Sequence, residues 1–490
     1  MGIIQRQGIK NTIITYAGFV IGFISLMIVQ PRFLTKEELG LTKVLFSYSA
    51  LIATFLPLGI QNITVRYFPR FRNLDRRHFG YFGFMVIFPL VGYVLASLFL
   101  FATRSFILDR WVESDLFASH FNYIFPFMLI ISLFNVLSSY SYAIYKSTVP
   151  SFLSDVVVRV LFIGIILVYY KGWLTLNQFI LSYMGIYLLQ LLLLMGYLLI
   201  YDRPGLKIDF SYLKEMSPKS MISYGLIMSV ASMASLGLKF LDIIVLEKYV
   251  PLALVGIYSI AAFAPTLIEA PYNALDRIAA PNVAAAWARN NVHDIRDIYV
   301  KSTRYMLLVG GLLFLGINLS IRPLMTLLPE GYEAGIPVIF VISCGTLVNM
   351  ATGANDSILL NSPKYLYGTF LLFFLFAFAL CANLYLIPRF GILGAGMATA
   401  ISAVIYNTLK CIVIYKQFGM QPFDRSTAGI LLTMLLAGAA GWLMPHPSSA
   451  IADIIARSAL ITAVYCFCAY RMKLAPEIQA FLAAKLNLNK

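Results

Sequence analysis

The sequence predicts an all-α integral membrane protein of fourteen transmembrane helices, and three observations carry that prediction. Of the 490 residues, 60% are hydrophobic and 12% are charged, against about 45–50% and about 25% in soluble domains. Mean hydropathy is +0.81. Apolar runs close to the roughly 20 residues that a bilayer-spanning helix needs recur along the whole chain, and no connection between them exceeds about twenty residues, too few for a separate soluble core.

Hydropathy windows place the spans at roughly 11–31, 43–66, 81–102, 121–145, 151–170, 177–200, 221–245, 255–278, 304–327, 336–360, 369–388, 392–415, 427–444 and 452–470. The first run follows Arg6 and Lys10 as a signal peptide would, but it continues to Pro31 without a small-residue cleavage pattern and is expected to stay as helix one. The formal charge of +15 comes from 37 Lys and Arg against 22 Asp and Glu. With the N-terminus inside, 22 of the basic residues fall in cytoplasmic segments and nine in outer ones, among them Arg32, Lys36 and Lys43. The positive-inside rule thus puts both termini in the cytoplasm and accounts for much of the excess, so no nucleic-acid partner is expected.

The longer inside connections read as short interfacial helices. In 201–220, Leu206, Phe210, Leu213 and Met216 recur at helical spacing between prolines, and 284–301 reads the same way. All five cysteines lie in apolar runs and are expected to pack in the core; the four histidines are scattered in loops. No metal site or cofactor is readable.

An internal repeat organises the spans. Pro126 and Ser132 in span four face Pro337 and Ser343 in span ten at one common offset. Gly40 faces Gly256, Arg66 with Pro69 faces Arg277 with Pro281, and Pro150 faces Pro363 at nearly the same offset. A repeat of six spans leaves both halves in the same orientation, related by an axis along the membrane normal. The expected organisation is an N-lobe at 1–200, a cytoplasmic linker at 201–220, a C-lobe at 221–416, two appended spans at 427–470 and a tail at 471–490.

Six plus six plus two helices without large loops resembles the multidrug/oligosaccharidyl-lipid/polysaccharide exporter superfamily. The first seventy residues are similar to its polysaccharide-transport branch, the O-antigen and capsule flippases: a first helix ending in R-x-L (Arg32 to Leu34), a short acidic turn ending EELG (Glu37 to Gly40), and a long second helix carrying Gly59 and Ile60. The resemblance implies a multi-pass protein of a bacterial inner membrane. It further implies movement of a polyprenyl-diphosphate-linked oligosaccharide from the cytoplasmic to the outer leaflet by alternating access, for lipopolysaccharide or capsule synthesis. The expected transporter is not an enzyme and functions as a monomer among membrane lipids, with a proton or sodium as coupling ion.

Charges at membrane depth nominate the site, because each is costly unless it faces a partner or a water-filled cavity. Arg159 lies in span five with Asp155 one turn earlier, and Lys239 and Asp242 share span seven. Arg66 follows Gln61 and Asn62; Arg277 follows Glu269, Asn273 and Asp276, so each arginine ends a polar stripe on a proline-containing helix. Arg66, Arg277, Arg159, Lys239, Gln61, Asn62 and Asn273 are the expected substrate contacts, since a diphosphate suits the planar guanidinium fork. Glu269, with no basic residue within four positions, is the expected coupling acid, with Asp155 and Asp242 as further candidates. Asp356 and Lys410 are placed to pair within the C-lobe. A cation-coupled drug antiporter would want acids in the N-lobe, and span one has none; a membrane-embedded glycan polymerase or ligase would want a large outer loop, where 103–120 is the longest available.

Overall fold

The computed structural model describes residues 3–73, 77–205, 207–209, 218–445, 447 and 449–476, and no strand occurs among them. Eleven helices are long and apolar enough to cross a membrane, twelve when one bent pair counts as a single span. The chain divides into two compact units, Met1–Gly256 and Ile257–Lys490. The four apolar residues of the expected linker helix, with residues 477–490 of the tail, lie outside the described residues.

The first unit opens with α1 (Ile3–Phe23), which passes through a π-helical turn (Ile24–Val29) into the short α2 (Gln30–Phe33). The wider turn falls just ahead of Pro31, whose missing N–H cannot continue an α-helical ladder. Helix α3 (Lys36–Ala53) starts on a capping box: the Glu38 N–H donates to Thr35 Oγ1 at 3.2 Å, and the Thr35 N–H to Glu38 Oε2 at 2.9 Å. The EELG segment is therefore the first turn of a helix, not the turn before one. Span two then breaks. After Pro57, Leu58 and Gly59 take φ of 48° and 80°, and α4 (Ile60–Phe71) restarts the helix. Gly59 is required there twice over: its φ is left-handed, and a Cβ would collide with the backbone carbonyl of Gly225.

The remaining helices of this unit are α5 (Tyr81–Arg110), α6 (Asp115–His120), α7 (Ile124–Ala143), α8 (Thr148–Phe152), α9 (Val158–Tyr170), α10 (Leu176–Tyr201) and α11 (Pro218–Tyr249). A second π-helical turn, Leu153–Val157, joins α8 to α9. Helix α11, which the sequence reading assigns to the C-lobe, clusters with the first unit because it packs on α3 and α4. The aromatic core of this unit includes Phe68, Phe71, Tyr81, Phe82 and Tyr140. The outer face of α5, with Leu98, Phe101 and Phe106, is bare of protein as a lipid-facing surface should be.

Helix α12 (Leu252–Ala261) crosses the unit boundary, and its first turn lies against that of α3. A side chain on Gly40 would collide with the carbonyl of Leu252, and one on Gly256 with the carbonyl of Lys36. Helix α13 (Thr266–Ala288) follows at 50° to α12, broken at Pro265. It runs through the expected interfacial segment to Ala288, and α14 (Val292–Met325) begins four residues later, so 284–301 forms the ends of two long helices. Then come α15 (Ile336–Ala351), α16 (Asn355–Leu360), α17 (Tyr365–Phe418), α18 (Arg425–Leu443) and α19 (Ala450–Arg471). The 54-residue α17 is interrupted at Gly391, with φ 55° and ψ −133°, three residues after Pro388. The repeat partners share local structure: α7 and α15 are each preceded by a 3-10 turn, and Ser132 and Ser343 are both fully buried. All five cysteines are free, and Cys381 and Cys466 lie on exposed helix faces instead of in the core, at no apolar cost where the surroundings are hydrocarbon.

One end of the first unit is tied by a polar network that the sequence does not announce. His78 is buried in a left-handed turn (Arg77, His78, Phe79), its Nε2 lying 3.3 Å from an Asp202 carboxylate oxygen, and the Tyr140 hydroxyl donates to the same carboxylate. Two further hydrogen bonds join the 203–205 and 207–209 backbone to this turn: the Gly205 N–H donates to the Arg77 carbonyl at 3.2 Å and the Asp209 N–H to that of Phe79 at 3.1 Å. Burial works to raise the Asp202 carboxyl, but the hydrogen bonds from His78 and Tyr140, with His78 and Arg72 close by, outweigh it and hold the group below the usual carboxylate range. A depressed acid contributes stability above its unfolded value, and that contribution is lost as pH falls through the folded one. The melting temperature in detergent should therefore drop on acidification below about pH 4, and Asp202→Asn should lower it at neutral pH while flattening that acid limb; an unchanged acid limb would exclude the network as its source.

Candidate functional site

In the first unit, membrane-depth polar groups converge where α1 meets α8 and α9. The Arg159 Nη1 donates to the backbone carbonyl of Gly18, which the adjoining glycines make possible. A Cβ on Gly18 would sit 2.6 Å from that of Asp155, and one on Gly22 would overlap the Arg159 guanidinium. Asp155, one turn before Arg159, and Tyr187 lie within electrostatic reach of the guanidinium. The new member is Lys43 of α3, two turns into its helix and within electrostatic reach of Arg159. Around them Tyr183 and Tyr187 exchange a 3.5 Å hydroxyl contact, and Phe46, Phe127 and Tyr187 pack ring against ring.

Asn62 and Arg66 lie at the contact of α4 with α11. Asn62 Nδ2 donates to Ser232 Oγ at 3.3 Å, and the exposed Arg66 guanidinium lies 4.4 Å over the Tyr224 ring and 5.5 Å from that of Tyr67. Gln61 is half-buried beside them. Lys239 is exposed on α11, with Asp242 half-buried a turn further on.

The second unit has a denser centre. Lys410 of α17, its side chain 1% exposed, lies 2.9 Å from Asp356 Oδ1 and donates to Asn355 Oδ1 at 3.0 Å. The Tyr272 and Tyr406 hydroxyls each donate to Asp356 at 3.3 Å, and the Tyr406 ring lies 4.1 Å beneath the ammonium. Asn355 and Thr352 donate to Asn407 at 3.1 and 3.0 Å, and Ser357 donates to Asp276. Asp356 remains 32% exposed, so this cluster presents a carboxylate backed by a buried cation. Helix α13 divides its residues between two faces: Tyr272 and Asp276 turn to α16 and α17, while Glu269, Asn273 and Arg277, four residues apart, form a separate stripe. Asn273 and Arg277 are exposed and Glu269 is half-buried.

Two groups escaped the sequence reading. Arg457, 2% exposed, donates to Asp453 at 2.8–2.9 Å and to the carbonyls of Gly441 and Met444. The i, i+4 pair inside span fourteen was the available signal. Lys43 was assigned to an outer loop because span two was begun at 43; the T-x-x-E box at Thr35–Glu38 was the signal that moves the helix start back to Lys36.

Removing one partner of a buried pair strands the other. Lys410→Ala should destabilise the chain by about 3–5 kcal/mol, whereas the Lys410→Met, Asp356→Asn double variant should recover most of that loss. Thermal unfolding of the purified protein in detergent decides it, and equal losses for both variants would remove the pairing argument.

No family model matches the sequence, and no curated protein matches it. Solved structures do. The chain is similar to a structure titled lipid II flippase MurJ in an inward closed conformation, at 11% identity and a TM-score of 0.65, covering 93% of this chain and 98% of that one. It is similar at 14% identity and a TM-score of 0.64 to an inward-facing multidrug resistance MATE family transporter of the MOP superfamily, covering 82% and 94%. A MATE in complex with MaL6 follows at 15% identity and a TM-score of 0.55, covering 84% and 95%. Identities this low speak for fold alone, and this chain shares the fold of these transporter structures over 82–93% of its length.

Proposed function

We propose that the chain is a flippase that moves a polyprenyl-diphosphate-linked oligosaccharide from the cytoplasmic to the outer leaflet of a bacterial inner membrane, by alternating access, for surface polysaccharide synthesis. The observation that carries this reading is the way the first unit holds its cations. Among the described residues, Lys43 and Arg159 lie within reach of each other at membrane depth, with Asp155 the acid beside them, and Arg66 rests on tyrosine rings. Carbonyls and ring faces hold a cation without cancelling its charge. An anionic head group would find that charge available; a cationic drug would be repelled by it. The likeness to a structure titled lipid II flippase supports the same class of substrate.

In this reading the chain has fourteen spans in two six-helix lobes, with α18 and α19 appended. The break at Gly391 makes two spans of α17, and α3 with α4 forms a broken span as α12 with α13 does. Arg277, Lys239, Gln61, Asn62 and Asn273 are further substrate contacts. Both termini are cytoplasmic, and the functional unit is a monomer. The second reading, a drug antiporter, draws on the MATE structures of the same fold. A glycan polymerase or ligase draws on none of these observations: the outer segment 103–120 is mostly the end of α5 and the six-residue α6.

The deciding experiment is reconstitution with a fluorescent polyprenyl-diphosphate oligosaccharide. Wild-type vesicles should translocate it, Arg159→Ala and Lys43→Ala should each lose at least about tenfold, and Arg159→Lys should keep part, since charge remains while the fork is lost. Normal flipping by both Ala variants, or transport of cationic dyes in its place, would favour the antiporter.

Coupling is proposed to pass through Glu269, half-buried between Pro265 and Pro271, with Asp155 and Asp242 as secondary acids. Glu269→Gln should keep substrate binding and lose the dependence of flipping on a pH gradient. An unaltered gradient dependence would return Glu269 to a structural role.

A further inference from the structure

The far end of α11 holds an acid that none of the above uses. Glu247 is 0% exposed. Its Oε1 accepts from the Ser114 N–H at 3.4 Å, with the Glu113 N–H also turned to the carboxylate, while Oε2 makes no well-formed hydrogen bond. Among the described residues no cation pairs with it: the neighbouring Lys248 ammonium stands 3.8 Å over the Trp111 ring and 5.2 Å from the ring of Tyr249. A second orphan lies close by. The buried Tyr48 hydroxyl of α3, within electrostatic reach of Glu247, has the Trp111 indole beside it but makes no well-formed hydrogen bond. The groups facing Glu247 are thus Tyr48 from α3 and Glu113 from the turn before α6, with Lys248 on its own helix turned to the rings.

A carboxylate without water, cation or full hydrogen bonding is too costly to keep; such a group takes up a proton. Protonation removes the uncompensated charge and turns Oε2 from an acceptor into a donor. Ionisation would need water at Glu247. Beside it lies a half-open cavity of about 270 Å³ lined by Glu37, Glu113, Ser114, Leu116, Val250, Pro251 and Leu252. Hydrating the acid therefore means parting the end of α11 from the 111–116 segment.

We propose that Glu247 is a proton-binding site whose occupancy seals the end of α11 against α3 and the Trp111–Ser114 turn, so that opening this seal and releasing the proton to entering water are one linked event. Linkage makes it reciprocal: a condition that opens the seal lowers the affinity for the proton, and deprotonation opens the seal. The inference concerns the seal alone and holds whatever molecule is transported.

Two measurements on the full-length protein in detergent test it. Infrared difference spectra at neutral pH should contain a carboxylic-acid carbonyl band that Glu247→Gln removes and Tyr48→Phe shifts. Modification of Leu116→Cys by a water-soluble maleimide, read at that peptide by mass spectrometry, should speed up several-fold between neutral and alkaline pH, relative to the exposed Trp173→Cys. Glu247→Gln should stay slow across the range. A neutral-pH band that survives Glu247→Gln, or a Leu116→Cys rate that accelerates equally in that variant, overturns the proposal. Should Glu247→Gln not fold, the Tyr48→Phe shift and the wild-type titration decide: the acid band must fade over the pH range in which Leu116→Cys labelling rises, and a labelling rise without that loss overturns it.

Discussion

Hydrocarbon offers no hydrogen bond, and that constraint governs where this chain can depart from a helix. Every departure at membrane depth is wrapped by protein or placed where a proline has already removed a donor. Gly59 lies against the backbone of Gly225, the α12–α13 bend occurs at Pro265, and the Gly391 break follows Pro388. The π-helical turns obey the same rule: one precedes Pro31, and the other carries Asp155 to the face of α1 where Gly18 gives it room. Irregular backbone is thereby confined to the neighbourhood of the polar residues, because both need the same shelter from lipid.

The same constraint sorts the buried charges. Arg457 spends its donors on Asp453 and the carbonyls of Gly441 and Met444, closing the turn between α18 and α19. Four of its five N–H donors are thus spent within the chain, which marks a clamp. Lys410 is as deeply buried, but its partner Asp356 keeps a third of its side chain open, and two tyrosines and two asparagines hold that carboxylate and the ammonium in register. Burial alone does not separate the two cases; the accessibility of the partner does.

Most of the fold was legible because hydropathy is a sum over many residues and survives local error. The repeat was legible for a similar reason: Pro126 and Pro337, like Gly40 and Gly256, answer backbone requirements that leave few substitutes. Lys43 was misplaced because a hydropathy window reports the apolar stretch, while a helix starts at its cap, here Thr35. The partners of Arg159 and His78 were hidden for another reason. A backbone carbonyl at Gly18 has no side-chain signature, and Asp202 lies 124 positions from His78, a pairing that only tertiary structure creates.

The two units also treat cations differently. Among the described residues, the second unit sets carboxylates against four of its cations, Asp356 on Lys410, Asp453 on Arg457, Asp424 on Arg304 and Asp297 on Lys301, while Arg389 lies over the Tyr385 ring. The first rests Arg66 on Tyr224, Arg72 on Tyr145, Lys146 on Tyr201 and Lys248 on Trp111, and hangs Arg159 from a carbonyl. In the same unit Glu247 is buried with Lys248 adjacent in sequence yet turned away from it. A chain shaped for stability alone would have joined that acid to a base. Keeping them apart sacrifices pairing energy, and such local inconsistencies gather where function sets the terms, which is the ground on which an anionic substrate and a bound proton are proposed for this unit.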